Sequence, residues 1–185
     1  VDIMHEATEI ARLRLFLKMV AVVDVDRRAD NLGLDPLPDI DFNIRCGNAL
    51  VGYATQSELD NDLVYGDMFA NQEFRSKIED EMQMVSKAYE RFKQIQFTQH
   101  ENMGEFAIAK KELNDRLNSL NDSLHKRLYK ATFSESAQQF DDWKQSHQPF
   151  HWLAEFYDII HGNGGFDVII GNPPYVEYSK VKSTY

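Results

Sequence analysis

The chain has 185 residues, 43% of them hydrophobic and 12% aromatic, which is enough to build a folded core and excludes a disordered chain. Its net charge of −10 argues against this piece alone gripping a phosphate backbone, which needs clustered Lys and Arg. The single cysteine, Cys46, excludes a disulfide framework and predicts a reducing, cytoplasmic setting. We expect no membrane span and no signal peptide, and a start at Val1 inside a predicted strand indicates a fragment.

The first part of the chain alternates short apolar segments with a helix pattern. Residues 1–3 are predicted to end a strand, and residues 42–46 to form a second strand closed by Gly47 and Asn48. Between them, residues 5–22 have the spacing of an amphipathic helix whose apolar face would pack on a sheet. That face consists of Ala7, Ile10, Ala11, Leu13, Phe16, Leu17 and Val20. A strand–helix–strand order is typical of a βαβ unit with a parallel sheet.

The middle of the chain carries apolar residues at steps of three and four over two long stretches. The first stretch consists of Phe74, Ile78, Met82, Val85, Tyr89, Phe92 and Ile95. The second consists of Phe106, Leu113, Leu117, Leu120, Leu124 and Leu128, with Ala109 or Lys110 at a gap. This pattern predicts an inserted antiparallel coiled-coil hairpin, whose apolar seam forms a core or contacts a second copy or a protein partner. Asn118, Asn121 and Asp122 lie between seam positions, so we expect them to be solvated.

The last part of the chain returns to short apolar segments. Residues 134–148 are predicted to hold a short helix with Phe140 and Trp143 buried. A compact apolar cluster follows, formed by Phe150, Trp152, Leu153, Phe156, Ile159 and Ile160. A glycine-rich turn at 162–165 then leads into residues 166–170, whose Val-Ile-Ile run suits a strand buried on both faces of a parallel sheet.

The sequence Asn172-Pro173-Pro174-Tyr175 follows this predicted strand and forms a stiff turn. Both prolines lack an N–H group and have a fixed φ, so the backbone cannot pair with a neighbouring strand there. The Asn172 side-chain oxygen and the Pro173 carbonyl could each accept one N–H of an amino group and free its lone pair. Tyr175 would stack on the planar group that carries this nitrogen, as in enzymes that flip out a base. The turn therefore predicts methyl transfer to a delocalised nitrogen without a general base.

Residues 166–175 resemble the catalytic motif of S-adenosylmethionine-dependent amino methyltransferases, chiefly the DNA adenine-N6 enzymes. Residues 1–15 resemble the second motif of the large adenine methyltransferases found in type IIG restriction–modification enzymes. Residues 43–50 resemble the third motif of the same enzymes, and the helical hairpin also fits that group. The resemblance covers residues 1–53 and 149–178.

The resemblance implies a partial α/β, Rossmann-like methyltransferase fold interrupted by the long antiparallel hairpin. Residues 1–70 would hold the second and third motifs of the core, and residues 71–148 the coiled-coil insertion. Residues 149–185 would complete the core with the catalytic motif. DNA is the implied partner, held largely by regions outside this chain.

The resemblance also implies roles for individual residues. Asn172, Pro173, Pro174 and Tyr175 would hold the target base. Asp2, with Ile3 beside it, would accept hydrogen bonds from the ribose hydroxyls of S-adenosylmethionine, while Asn48 and Ala49 would meet its adenine ring. Many relatives have Asp where this chain has Asn48. The glycine-rich first motif that cradles the methionine part of the cofactor is not found, so we expect the isolated chain to bind cofactor weakly, if at all, and to be inactive.

Other interpretations remain open for these residues. Asn172 to Tyr175 could be a plain turn, Asp2 a solvated residue at a chain end, and Asn48 an ordinary turn residue. A metal site is not predicted, because Pro149 separates His147 from His151 and the single cysteine has no spaced partners. The alternative functions are methylation of a protein glutamine amide, whose enzymes lack such a hairpin, and a non-catalytic interaction segment.

Overall fold

The structure, a computed structural model, describes residues 1–28, 32, 39–97, 103–132, 139–162 and 164–171. Its helices are α1 (His5–Ala21), α2 (Gln56–Asp62), α3 (Met68–Phe97), α4 (Met103–Thr132), α5 (Phe140–His147) and α6 (Trp152–Glu155), followed by a π-helical turn (Asp158–Gly162). No helix in these ranges is both long and apolar enough to cross a bilayer.

The helices α3 and α4 form the long antiparallel hairpin that the apolar repeat predicted. Phe92 meets Phe106 near one end, with ring centroids 5.3 Å apart, and Arg127 bonds to Asn71 at 3.0 Å near the other. The seam is the centre of the core, with fully buried side chains at Ile78, Leu113, Leu120 and Leu124. Each such side chain contributes about 1.5–3 kcal/mol by leaving water, so the seam is the main source of stability.

Ala109 fills the gap in the α4 repeat and is 1% exposed. The neighbouring Lys110 reaches away from the seam, with Nζ 2.5 Å from the Asp39 carboxylate and in contact with Asp41 as well. Burial acts to lower the pKa of Lys110, but the hydrogen bonds to the two carboxylates outweigh it and raise that pKa. Ala109 rather than Lys110 occupies the seam, because burying an unpaired ammonium there would cost about 5 kcal/mol or more.

The segments before α2 and around α6 pack on the hairpin through aromatic and aliphatic residues. The Phe42 ring lies edge-on to Phe92 and Tyr89, with centroids 4.9 and 6.3 Å away. The same core also contains Tyr53, Leu59, Leu153 and Ala154. The flanking segments are therefore organised by the hairpin rather than by a sheet.

The predicted α/β fold is wrong for the described residues, which are mostly helical and contain no strand. The segments predicted as the first two strands meet only in a single parallel bridge between Asp2 and Cys46, and residues 41–43 form a turn. The predicted strand near the end has no regular structure, and Ile170 there is 92% exposed. A parallel strand needs neighbouring strands and cover on both faces, which the described part of the chain does not provide.

The helix predicted over residues 5–22 is confirmed as α1, but its predicted burial is wrong. Its apolar face is open, with Ile10 57% and Leu13 58% exposed, while Thr8 is buried. The helix is held by Arg12, whose guanidinium donates to the Ile44 carbonyl at 2.7 Å. Because no sheet forms beside α1 in the described residues, its apolar stripe has nothing to cover it.

The short helix predicted within residues 134–148 is confirmed as α5, although residues 134–138 lie outside the described part. Trp143 is 1% exposed, as predicted, whereas Phe140 is only half-buried. Both rings lie 5.5 Å from the ring of Tyr129 on α4. This aromatic contact fixes α5 against the hairpin.

The prediction that the polar residues of the α4 repeat are solvated is only partly right. Asn118 is exposed, as expected. The Asn121 amide instead donates to the Glu155 carboxylate at 2.6 Å, and Asp122 accepts from Lys144 of α5 at 2.5 Å. Polar residues beside the seam therefore attach α5 and α6 to the hairpin.

Candidate cofactor and catalytic site

The segments that contain the candidate cofactor residues lie side by side. The Asp2 N–H donates to the Arg45 carbonyl at 3.1 Å, and the Gly47 N–H donates to the Asp2 carbonyl at 2.9 Å. These bonds form the parallel bridge between Asp2 and Cys46. The structure therefore brings Asp2 close to Asn48, although α1 and the following loop separate them in the sequence.

The Asp2 side chain is exposed at the entry to α1. Its Oδ1 accepts the Met4 N–H at 2.8 Å, which fixes the carboxylate just before the first turn of the helix. Its Oδ2 has no hydrogen-bond partner among the described residues. Ile3 beside it is 47% exposed. One carboxylate oxygen is thus structural, and the other remains available for a hydroxyl group.

The Asn48 side chain forms an ordinary turn. Its Oδ1 accepts the Leu50 N–H at 3.1 Å, and its backbone carbonyl accepts the Val51 N–H at 3.0 Å. An amide oxygen has a second lone pair and the NH₂ group has two donors, so this turn leaves capacity for a ligand. Ala49 is exposed, and its N–H has no partner within the described ranges. These groups fit the adenine end of a nucleoside.

Residues 48–53 pair with residues 148–153 through three backbone hydrogen bonds. The bonds run from the Asn48 N–H to the Gln148 carbonyl (2.7 Å), from Phe150 to Val51 (2.7 Å) and from Leu153 to Tyr53 (3.2 Å). Gly52 allows this approach, because its φ is +148° and an added Cβ would lie 2.1 Å from the Phe150 carbonyl oxygen. The candidate cofactor segment is therefore attached to the segment that precedes α6.

Aromatic contacts link this pair of segments to Phe166, six residues before Asn172. The Trp152 indole N–H donates to the Ala49 carbonyl at 3.0 Å. The Phe166 ring lies 5.9 Å from the Trp152 ring and 5.3 Å from the Phe156 ring, between ring centroids. The compact apolar cluster predicted over residues 150–160 therefore extends to Phe166. The catalytic residues predicted at 172–175 lie outside the described residues. The chain leading to them starts beside the candidate cofactor segment.

Arg45 and Glu155 form a buried ion pair below this region. Their Nε and Oε2 atoms are 3.1 Å apart, and both side chains are 13% exposed. Burial lowers the pKa of the Arg45 guanidinium, while the charge of Glu155 opposes that shift. The guanidinium also lies 4.9 Å from the Phe42 ring centroid. The pair fixes the third-motif segment to α6.

His125 and His151 were missed by sequence reasoning. They are 7% and 0% exposed, and the Nδ1 of His125 lies 2.9 Å from the Nε2 of His151. The available signal was position: His125 follows the seam residue Leu124, and His151 lies between two aromatic residues. Within the described ranges, no group of three or more His, Cys, Asp and Glu is arranged to hold a metal ion.

Comparison with known proteins places these features in one family. The whole chain, residues 1–185, matches the family described as Eco57I restriction-modification methylase. It is also 31% identical over 218 residues to a protein of Methanocaldococcus jannaschii named as a candidate type II restriction enzyme and methyltransferase. No solved structure matches the chain significantly.

The chain belongs to the Eco57I restriction-modification methylase family, since the match spans its whole length. The resemblance to restriction–modification methyltransferases is therefore confirmed. The similarity to the M. jannaschii protein covers 95% of this chain but only 18% of that relative. The chain thus spans about a fifth of the length of the relative it matches.

Proposed function

We propose that this chain is part of a DNA methyltransferase that transfers a methyl group from S-adenosylmethionine to N6 of adenine within a type IIG-like restriction–modification system. The observation that carries the proposal is the family match over residues 1–185. The sequence Asn172 to Tyr175 supports an exocyclic amino group as the methyl acceptor. Because the chain corresponds to 18% of its relative, the activity belongs to a longer protein.

Asn172, Pro173, Pro174 and Tyr175 would form the target-base half of the site. The Asn172 side-chain oxygen and the Pro173 carbonyl would each accept one hydrogen of the adenine amino group. These bonds would stabilise the positive charge that develops on the nitrogen as its bond to the methyl carbon forms and the bond from that carbon to the cofactor sulfur breaks. The nitrogen would then lose one proton to solvent. Pro174 keeps the turn stiff, and Tyr175 would stack on the flipped-out base. No covalent intermediate with the protein is needed.

Asp2, Ile3, Asn48 and Ala49 would form the nucleoside-binding half. The Asp2 Oδ2 suits the ribose hydroxyls because Oδ1 is already bonded to the Met4 N–H. The exposed Ala49 N–H suits a ring nitrogen, and the Asn48 amide suits the amino edge of the adenine. When bound, S-adenosylmethionine would supply the activated methyl group, and these four residues would orient its nucleoside.

DNA is the proposed partner, in a cytoplasmic setting. With a net charge of −10, this chain is poorly suited to holding the DNA backbone, so basic surfaces elsewhere in the longer protein would carry that contact. The hairpin seam is filled by its own side chains, with Leu113 and Leu120 at 0% exposure. This burial favours a structural core over a docking seam for a second copy.

The test is to express the full-length protein, incubate it with DNA and S-adenosylmethionine, and separate the nucleosides by mass spectrometry. The proposal predicts cofactor-dependent formation of N6-methyladenine. Methylated cytosine would reject adenine as the target, and methylglutamine in a protein substrate would support the alternative reaction. An absence of methyl transfer to any of these substrates would favour a non-catalytic segment.

A further inference from the structure

His125 of α4 and His151 form a buried link between the hairpin and the candidate cofactor segment. The Nδ1 of His125 lies 2.9 Å from the Nε2 of His151. The Nδ1 of His151, in turn, accepts the backbone N–H of Tyr53 at 2.9 Å. The two imidazole rings also pack together, with centroids 4.8 Å apart.

This geometry determines which nitrogen of each ring carries a proton. Because the Tyr53 N–H donates to Nδ1 of His151, that nitrogen has no proton and the neutral ring carries it on Nε2. The Nε2–H then donates to Nδ1 of His125. The hydrogen bonds therefore run in one direction, from the Tyr53 amide through His151 to the hairpin.

The link ends in the segment that contains Asn48 and Ala49. Tyr53 closes that segment, and its carbonyl accepts the Leu153 N–H at 3.2 Å. Trp152, the residue after His151, donates its indole N–H to the Ala49 carbonyl at 3.0 Å. The segment is thus held at the Ala49 end by Trp152, which follows His151, and at the Tyr53 end by His151 itself and by Leu153.

We propose that His125 and His151 are positioning residues that make cofactor affinity depend on the hairpin. This inference rests on the proposed function, because it takes Asn48 and Ala49 to contact the adenine of S-adenosylmethionine. Apolar residues could fill the same space, but they would leave the buried Tyr53 N–H without an acceptor, which destabilises this segment. His151 therefore supplies the acceptor for the Tyr53 N–H, and His125 supplies the acceptor for the Nε2–H of His151.

The test uses the full-length protein with His125→Leu, which keeps a comparable volume but cannot accept the His151 proton, and His125→Asn, whose amide oxygen can replace Nδ1. His125→Leu is expected to raise the KM for S-adenosylmethionine roughly tenfold, the effect of one lost buried hydrogen bond, with a much smaller change in kcat. His125→Asn should restore most of the affinity. Hydrogen–deuterium exchange at residues 48–53 should be faster in His125→Leu than in the wild type, and close to wild type in His125→Asn.

Leu124→Ala is the matched control, since Leu124 is a neighbouring core residue with 0% exposure and no part in the link. It should lower stability but leave the KM for the cofactor unchanged. Trp152→Phe offers a second variant if His125→Leu folds poorly, because it removes the indole donor to Ala49 while keeping an aromatic ring among Phe150, Phe156 and Phe166, and it should raise the KM as well. This inference would be overturned if the KM of His125→Leu were unchanged, or if the KM of Leu124→Ala rose by the same factor. In either case, methyl transfer by the wild-type protein would still support the proposed function. Wild-type protein without methyl transfer would overturn both.

Discussion

The imidazoles of His125 and His151 share a buried hydrogen bond of 2.9 Å, which requires that Nδ1 of His125 carry no proton. Burial lowers the pKa of His125 to about 4, with a further contribution from the charge of Lys144. Burial likewise lowers the pKa of His151 to about 3, with His125 beside it acting in the same direction. The pair therefore stays uncharged through the physiological range and connects α4 to the segment before α6.

Stability of this chain should fall as the pH decreases below about 6.5. Unfolded histidines take up protons near that pH, whereas the folded pair does not until about pH 4, so protons favour the unfolded state between these values. We expect the free energy of unfolding to drop by roughly 2–4 kcal/mol between pH 7 and pH 5. Urea unfolding followed by circular dichroism at the two pH values measures it.

A His125→Leu variant should lose about half of this pH dependence, because one of the two titrating groups is gone. A flat stability profile from pH 7 to pH 5 in the unmodified chain would contradict the neutral buried pair.

Arg127 should be one of the most important charged residues for stability. Its guanidinium donates to the Asp62 carboxylate at 2.6 Å, to the Asp62 carbonyl at 2.7 Å and to Asn71 at 3.0 Å. Its side chain is 15% exposed, and removing it would leave the Asp62 carboxylate part-buried without its cation. We expect Arg127→Ala to cost about 2–4 kcal/mol, measured by urea unfolding.

Arg75→Ala is the control for Arg127→Ala. Arg75 also pairs with an aspartate, Asp60, at 2.8 Å, but its side chain is 49% exposed. Exposed pairs contribute about 0–1 kcal/mol, so this change should have little effect. Equal losses of unfolding free energy in the two arginine variants would contradict a larger contribution from the part-buried Arg127 and its bonds to Asp62 and Asn71.

Gly52→Ala should disrupt the pairing of residues 48–53 with residues 148–153. The φ of Gly52 is +148°, and the added Cβ would lie 2.1 Å from the backbone oxygen of Phe150. We expect a loss of more than about 3 kcal/mol, because a backbone atom cannot move aside as a flexible side chain can. Gly162→Ala is the control, because a Cβ added at Gly162 would have no atom within 4 Å, and it should change stability by less than about 1 kcal/mol. A wild-type melting temperature in Gly52→Ala would refute the close approach of Gly52 to Phe150.

The hairpin could be predicted from the sequence because its signal is local and repeated. Each seam residue is three or four positions from the next, and a helix places such residues on one face whatever surrounds it. The choice between Ala109 and Lys110 at the gap could not be made from spacing alone. It was decided by the carboxylates of Asp39 and Asp41, which lie far away in the sequence.

The sheet was predicted wrongly because a strand depends on partners that a local pattern does not contain. Val168 and Ile169 have the composition of a buried strand but are 70% and 75% exposed. The resemblance assigned Asp2 and Asn48 to the same cofactor, and the bridge between Asp2 and Cys46 brings their segments together. The polar links of His125 and His151 had no repeat to reveal them.

We propose that Asn172 helps to activate an adenine amino group for methyl transfer. The decisive measurement is the rate of N6-methyladenine formation by the full-length protein with Asn172→Ala, compared with wild type and with Asn118→Ala, an exposed asparagine on α4. We expect Asn172→Ala to lower kcat by roughly 100-fold or more, with the KM for S-adenosylmethionine close to wild type, and Asn118→Ala to be fully active. Adenine methylation at the wild-type rate by a folded Asn172→Ala protein would contradict this role of Asn172.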